Sequence, residues 1–497
     1  MLAKLNEIFA PAEKVVATVN SYLTDYVLLF LLIGIGLFYT IRTKFVQVRC
    51  FGEGMKQVFG NLSLRGGKQK GGLSSFQALA TAIAAQVGTG NIVGACGAIL
   101  VGGPGAIFWM WVIAFLGMAT IYAEAVLAQK TRIVNEDGSI SGGPVYYIQH
   151  AFNNKFGKVL AAFFAVAVML ALGFMGSMVQ SNSIGESMGN VFGWQAGTYQ
   201  WIIGIVVAAL AAVIFLGGVN RIASVTEKMV PLMAGAYILG ALVVIFARIQ
   251  YIPETFGMIF KYAFNANALI GGGIGYALKM ALSQGAKRGL FSNEAGMGST
   301  PHAHAQANVK TPHEQGVTAM IGVFIDTFIV LTLTALVVIS TLYAGDNSVL
   351  GNSLNYVTNA DGVREVPGYA KTTLAQLAFG TVFGQTFGNI FVAVCLFFFA
   401  FSTILGWNFF GKINAEYLFG KKGVKVYTVV AVIFIFAGSL FSNGFVWELT
   451  DFFNYLMVLP NVLALAFLST MVARSAKTRG ACDLPKIEGD ATVETEE

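Results

Sequence analysis

The chain has 497 residues, of which 56% are apolar and only 11% charged, where soluble chains run to roughly 45–50% apolar and about 25% charged. So few charges cannot cover the surface of a water-soluble protein of this length, which excludes an ordinary soluble enzyme or binding domain. The net charge of +6 would suit nucleic acid, but the basic residues gather in short groups at the ends of apolar runs, the mark of membrane topology.

A membrane-spanning helix needs about 20 mostly apolar residues. The first such run, 21–41, ends in Arg42, Lys44 and Arg49, which places its C-terminal end at the cytoplasmic face and the N-terminus outside. No small-residue cleavage site follows it, so it reads as an uncleaved span. Further runs follow at 74–101, 105–130, 158–188, 198–218, 228–249, 266–289, 315–343, 387–418, 425–441 and 447–473. The expectation is an all-α polytopic membrane protein with eleven spans and a cytoplasmic C-terminus, in the inner (cytoplasmic) membrane. Alternate loops then hold most of the basic residues inside, among them Lys68, Lys130, Arg221, Lys287, Arg288, Lys421 and Arg474, against Lys261, Arg364 and Lys371 outside. The loop 344–386 is mixed polar and falls outside, and the acidic tail 474–497 lacks periodicity and is expected to be disordered. Cys50, Cys96, Cys395 and Cys482 are far apart and read as free thiols, with neither disulfide nor metal spacing.

Continuous transmembrane helices have paired backbone groups and bind ions poorly, so function is sought where small and polar residues interrupt an apolar run. Gln86-Val87-Gly88-Thr89-Gly90-Asn91 interrupts the second span, and Gly271-Gly272-Gly273-Ile274-Gly275 the seventh. The two spans are five apart. With 1–73 set aside as a peripheral helix and loop, the chain divides into repeats of five helices over 74–250 and 251–473, with the tail at 474–497. An odd number of helices per repeat inserts the two copies in opposite orientations. Unwinding at Gly88–Gly90 frees amide N–H groups that suit a carboxylate, and the carbonyls of Ala84–Val87 suit Na⁺ or an ammonium group. An amino-acid zwitterion fits between them. Gly-rich spans also arise from tight helix packing, and Thr89 and Asn91 can cap a kink; the matched positions of the two breaks favour a site.

Four segments carry a family likeness, in order: Gly88-Thr89-Gly90-Asn91-Ile92-Val93-Gly94, Gly142-Gly143-Pro144-Val145-Tyr146-Tyr147-Ile148, the stretch from Gly289 through Ser292-Asn293-Glu294-Ala295-Gly296-Met297-Gly298-Ser299, and Phe401-Ser402-Thr403-Ile404-Leu405-Gly406-Trp407. By these the chain resembles the alanine/glycine:cation symporter (sodium:alanine symporter) family over nearly its whole length. The resemblance implies a leucine-transporter-like fold of five-plus-five inverted repeats with broken core helices, and Na⁺-coupled uptake of alanine or glycine. It also implies that Thr89 and Gly90, with Asn91, meet the substrate carboxylate. Ala84 and Val87 carbonyls with the Ser402 and Thr403 hydroxyls form the implied sodium site, those hydroxyls lying i+3 and i+4 from Phe399. The family often has Thr at both positions, so Ser402 departs from it while keeping the hydroxyl. Trp407, one turn from Thr403, closes the pocket; Phe174 and Gln180 are candidates for its wall, and Gly275 marks the second break.

Ionisable residues inside spans default to functional hypotheses. Asp326, near mid-span, either serves a cation or proton or bonds a neighbouring helix. Glu124 reads as a structural partner, and Glu294 as an ion-pair partner of Arg288 at an inner gate. His302, His304 and His313 lack zinc spacing. No nucleophile set, P-loop or cofactor motif is present, so an enzyme, an ATP-driven pump and a nucleic-acid partner are not expected. The expected partners are Na⁺, a small neutral amino acid and the lipid bilayer, with H⁺ coupling or glutamine as alternatives.

Overall fold

The computed structural model describes residues 2–60, 73–135, 139–194, 199–264, 274–345, 349–350, 357–358, 364–365 and 368–479. Helix dominates because the apolar runs have no water in which to satisfy exposed backbone, and a helix pairs its own N–H and C=O groups. In order the main helices are α1 (Phe9–Arg42), α2 (Ser75–Gln86), α3 (Gly90–Gly102), α4 (Ala106–Thr131) and α5 (Lys155–Val191). They continue with α6 (Gln200–Phe215), α7 (Gly218–Ala247), α8 (Ile252–Phe264), α9 (Ile274–Asn293) and α10 (Pro301–Ala305). The last are α11 (Pro312–Leu342), α12 (Leu374–Phe383), α13 (Gln385–Gly438) and α14 (Asn443–Phe467). α13 is two helices joined at Gly420, whose φ of 67° and ψ of −175° are not helical.

Among the described residues, seven helices are long and apolar enough to cross a membrane, or eight when the bent pair α2–α3 is taken as one span. Each of the eleven predicted segments coincides with a helix, although 266–273 of the seventh lies almost wholly outside the described residues and α9 begins only at Ile274. Large apolar side chains stand exposed along the outer helices, among them Phe30, Leu216, Leu239, Phe246 and Phe467. In water such a surface would drive aggregation; against lipid tails it costs nothing.

The second predicted break falls mostly outside the described residues, and the structure shows a further interruption downstream. Gly271–Gly273 fall outside the described residues, and Gly275 lies in the first turn of α9. The helix then runs unbroken to Asn293, about 27 Å further at 1.5 Å per residue. The interruption is Glu294–Thr300, between α9 and the short α10. This moves Lys287 and Arg288, expected on the cytoplasmic side, to the same end as Lys371, which was expected outside: Arg288 and Lys371 both lie over the Trp447 ring. The tail beyond Arg479 lies outside the described residues.

A parallel pairing of Leu73–Ser74 with Ala307–Asn308 ties the start of α2 to the chain just past α10. Ser74 also caps α2 reciprocally: its hydroxyl accepts from Gln77 N at 3.0 Å and the Gln77 side chain accepts from Ser74 N at 3.1 Å. Both broken helices are thereby anchored at one end of the molecule, with their breaks facing each other in its centre.

Candidate functional site

The first break follows from local sterics. A Cβ on Gly88 would lie 2.2 Å from Thr403 Oγ1, so only glycine lets α2 approach α13 here. Val87 leaves the helix at ψ 84°, and α3 departs at 45° to α2. The amides freed by unwinding are taken by side chains, one local and one distant: Gly88 N donates to Asn91 Oδ1 at 3.0 Å and Thr89 N to Gln180 Oε1 at 3.3 Å. Two polar atoms of this group, Thr89 Oγ1 and Gln180 Nε2, are buried without a hydrogen-bond partner. Each costs about 1–3 kcal/mol while unpaired.

At the second break the chain turns through left-handed conformations at Glu294 (φ 59°), Gly296 (φ 91°) and Gly298 (φ 79°). Glycine adopts these without penalty; Glu294 bears a cost of roughly 1–2 kcal/mol that its surroundings must hold. They do so from two sides. Glu124 on α4 accepts from Gly296 N at 3.2 Å, Gly298 N at 3.0 Å and Asn461 Nδ2 at 2.6 Å, so the structural partner expected of Glu124 is this loop. Glu294 itself accepts from Trp407 Nε1 at 2.5 Å and from the Ser299 hydroxyl. It makes no pair with Arg288, which bonds Asp451 instead, Nη2 to Oδ2 at 3.1 Å. The reason is direction: Arg288 stands more than one turn before the end of α9 and faces Trp447.

Asp326 joins the two breaks. Its carboxylate accepts from Asn91 Nδ2 at 2.6 Å, from the Ser292 hydroxyl at 2.9 Å and from Thr327 Oγ1 at 2.8 Å. Gln86 Nε2 adds a bond to Asn293 O at 2.7 Å, and the Gly90 backbone packs on Ser292 and Phe291. Asn91 and Asp326 sit in π-helical stretches, Gly90–Gly94 and Phe324–Leu331, and a third such stretch, Met169–Gly176, precedes Gln180. Such one-turn expansions turn side chains away from the regular helical face and recur at functional sites.

Beside the first break, Thr403 Oγ1 donates to Ala84 O at 2.9 Å and Phe399 O at 3.0 Å, and Ser402 Oγ to Phe399 O at 2.8 Å. The structure thus brings Ala84, Phe399, Ser402 and Thr403 together next to Val87. Two hydroxyls and two carbonyls, all neutral oxygens, suit a hard cation of low charge. Trp407 lies one turn on, its ring packed over the Gly176 backbone and edge-on to Phe291 at 5.7 Å.

Phe174 does not join this group. Its ring stacks on Phe434 at 4.9 Å and lies 5.5 Å from Tyr427, because the π-helical stretch turns it towards the second half of α13. The histidines are held by protein contacts: His302 Nδ1 lies 2.6 Å from Ser299 O and His304 Nδ1 2.7 Å from Gln315 Nε2. Beyond the break, a charged layer closes one end. Asp451 takes Arg288 and also Lys287 at 2.9 Å, while Glu448 takes Lys287 at 3.2 Å and Asn20 Nδ2 at 2.6 Å. Sequence reading missed Ser292, Asn461 and Asp451. The only local signal was at the second break, where Gly296 and Gly298 alternate with larger residues behind Asn293-Glu294.

The sequence pattern of the sodium:alanine symporter family matches residues 10–481. The sodium/alanine symporter AgcS of Methanococcus maripaludis is 39% identical over 464 residues, covering 93% of this chain and 96% of that protein. The putative sodium/proton-dependent alanine carrier protein YrbD of Bacillus subtilis is 38% identical, covering 91% of this chain and 90% of its own length. Among solved structures, MhsT in complex with L-phenylalanine matches with a TM-score of 0.54 at 13% identity, over 83% of this chain and 100% of that one. At that identity the likeness speaks to the fold alone, a leucine-transporter-like one.

Proposed function

This chain belongs to the sodium:alanine symporter family, and from that premise we propose that its cargo is alanine or glycine, drawn inward with Na⁺ by alternating access. Sodium-coupled symport of an amino acid is its activity; it is a multi-pass membrane transporter and not an enzyme. The finer reading has eleven spans, one peripheral helix and two inverted five-helix repeats, with α2–α3 and α9–α10 as the broken members. It places the N-terminus outside, the C-terminus in the cytoplasm and the protein in the inner membrane, working without ATP, nucleic acid or a resident cofactor.

The observation that carries the substrate reading is the pair of unpartnered polar atoms at the bend, Thr89 Oγ1 and Gln180 Nε2. Both are donors, and a carboxylate accepts from both while recovering the cost of their burial. The Gly90 amide reinforces it at the start of α3, where the helix dipole is positive, and the Thr89 amide joins once Gln180 Oε1 releases it. Na⁺ sits among Ala84, Val87, Ser402 and Thr403. Binding there orders the unwound turn that the substrate then meets, which couples the two. Each charge moved inward yields about 2.3 kcal/mol per 100 mV. A smaller side chain is favoured because Trp407 and Phe291 fill the space beside the break.

Uptake of labelled alanine and glycine into proteoliposomes, under separate Na⁺, K⁺ and H⁺ gradients, tests the reading. Sodium alone should drive it; a proton-driven signal would favour the second reading, which the name of the Bacillus subtilis relative supports. Unlabelled glutamine should compete weakly. With Trp407→Ala, KM for alanine should rise about tenfold and larger neutral amino acids should gain relative to it, since one methylene is worth about 1–3 kcal/mol. Unchanged selectivity would remove Trp407 from the pocket wall.

A further inference from the structure

We propose that Cys50, Glu53 and His313 form a binding site for a zinc-class divalent ion at the end of the molecule remote from Arg288 and Asp451. The three residues are separated by up to 263 positions in sequence, yet their Sγ, carboxylate oxygen and ring nitrogen all lie within 4.8 Å of one another. Cys50 caps the start of the helix Phe51–Phe59 and Glu53 lies in its first turn. His313 belongs to the first turn of α11. Phe51 packs edge-on against Phe324 at 4.9 Å, which seats that helix on α11 and fixes the register of the cluster.

The ligand set is specific in its chemistry. A thiolate, an imidazole and a carboxylate suit zinc or cobalt; Na⁺, Mg²⁺ and Ca²⁺ prefer oxygen alone. His313 Nε2 faces Glu53 Oε1 at 3.1 Å, and its other nitrogen lies 2.7 Å from the buried Tyr122 hydroxyl. An ionised Glu53 only accepts, so Nε2–H donates to it and Nδ1 accepts from the Tyr122 hydroxyl. A bound ion would replace that Nε2 proton, with the phenol oxygen turning to accept Nδ1–H, the outer arrangement metal-bound histidines use. Cys50 and His313 are buried at 0% and 1% exposure, whereas the Glu53 side chain is 40% exposed and leaves an entry path. Ligand atoms around a tetrahedral ion sit about 3.5 Å apart, so loading requires a contraction of roughly 1 Å, within reach of the exposed Glu53 side chain. The competing contact is weak: Arg479 Nη1 stands 3.8 Å from Glu53 Oε2 and is itself half exposed. The neighbouring Arg42, Lys44 and Arg49 put this end at the cytoplasmic face, where a thiol stays reduced. Binding would staple the helix Phe51–Phe59 to α11, which carries Asp326 about 20 Å further along.

The test uses the intact chain in detergent, titrated with cobalt as the probe and then with zinc as competitor. The expected result is a thiolate-to-cobalt charge-transfer band that saturates near about one ion per chain and is bleached by zinc but not by excess sodium. Cys50→Ser should abolish the band, and Cys482→Ser should leave it. Glu53→Gln, at an exposed position that folding does not need, should weaken binding at least about tenfold, and Tyr122→Phe about tenfold. Absence of the band, its survival in Cys50→Ser, or its loss only in Cys482→Ser would each overturn the site. Sodium-driven alanine uptake by the same variants separates this result from the transport reading, because loss of the band with uptake intact concerns the metal site alone.

Discussion

Valine in place of Thr403 should lower sodium-dependent uptake about a hundredfold at low sodium while leaving the protein folded. The Thr403 hydroxyl lies 2.9 and 3.0 Å from the carbonyls of Ala84 and Phe399, and so reaches the Ala84 half of the implied cation site more closely than Ser402, whose hydroxyl stands 3.4 Å from Ala84 O. Valine keeps the branched shape and removes the oxygen. The cation loses a ligand, and two buried carbonyls lose a donor, together about 2–3 kcal/mol, which is about thirty- to a hundredfold in affinity. Thr403→Ser should restore most of the activity. The measurement is the initial rate of uptake against sodium concentration: the half-saturating sodium should rise steeply in the valine variant and little in the serine one. An unchanged sodium dependence would take Thr403 out of the site. Ser402→Ala should act in the same direction and less strongly, because its nearest carbonyl, Phe399 O at 2.8 Å, belongs to its own helix.

Glu124→Ala should be the most damaging single change to stability. Three buried donors, Gly296 N, Gly298 N and Asn461 Nδ2, converge on that carboxylate; without it Asn461 Nδ2 keeps its bond to Gly296 O at 2.9 Å, but the two loop amides lose their acceptor. At about 1–3 kcal/mol each, partly relieved by relaxation, the cost is about 3–5 kcal/mol, or roughly 3–5 °C in thermal midpoint for a chain of this length. The loop it holds contains the left-handed Glu294, so uptake should vanish with it. Glu124→Gln retains one acceptor oxygen and should lose less than half as much. A thermal scan of both variants in detergent decides the matter; an alanine variant that melts with the wild type would mean that Glu124 does not hold the loop.

These two residues differ in how far the linear chain betrays them. Ser402 and Thr403 were named through the family resemblance, and the structure sets both hydroxyls one turn after Phe399 beside Ala84 O, a local placement that the spacing along one helix allows. Gly88 was legible locally, since a Gly-Thr-Gly run inside apolar helix is hard to explain by packing alone. At Gly271–Gly275 glycine is ambiguous, because close packing and unwinding both call for it and sequence does not distinguish them; Gly271–Gly273 lie outside the described residues. The interruption downstream hides in Asn293-Glu294-Ala295, residues that a helix accepts readily. It opens only because Glu124, 170 positions earlier, receives the amides that a continuing helix would have used internally. Phe174 stacks on Phe434, a partner the sequence did not indicate, because a large aromatic in a span packs well against any neighbour and only the π-helical turn decides which.

The amino-acid order by itself determined that this is a mostly helical membrane protein, where its apolar segments lie, where the first of its helices breaks and which family it belongs to. Those properties rest on local hydropathy, on helical spacing and on glycine's lack of a side chain, all of which act within a few residues. Tertiary structure alone decided the rest: that Asp326 fastens Asn91 to Ser292, that Arg288 meets Asp451 rather than Glu294, and that Cys50, Glu53 and His313 converge. A buried polar group must find a partner somewhere in low-dielectric surroundings, and which partner it finds depends on how the helices cross, information that no window of the sequence contains.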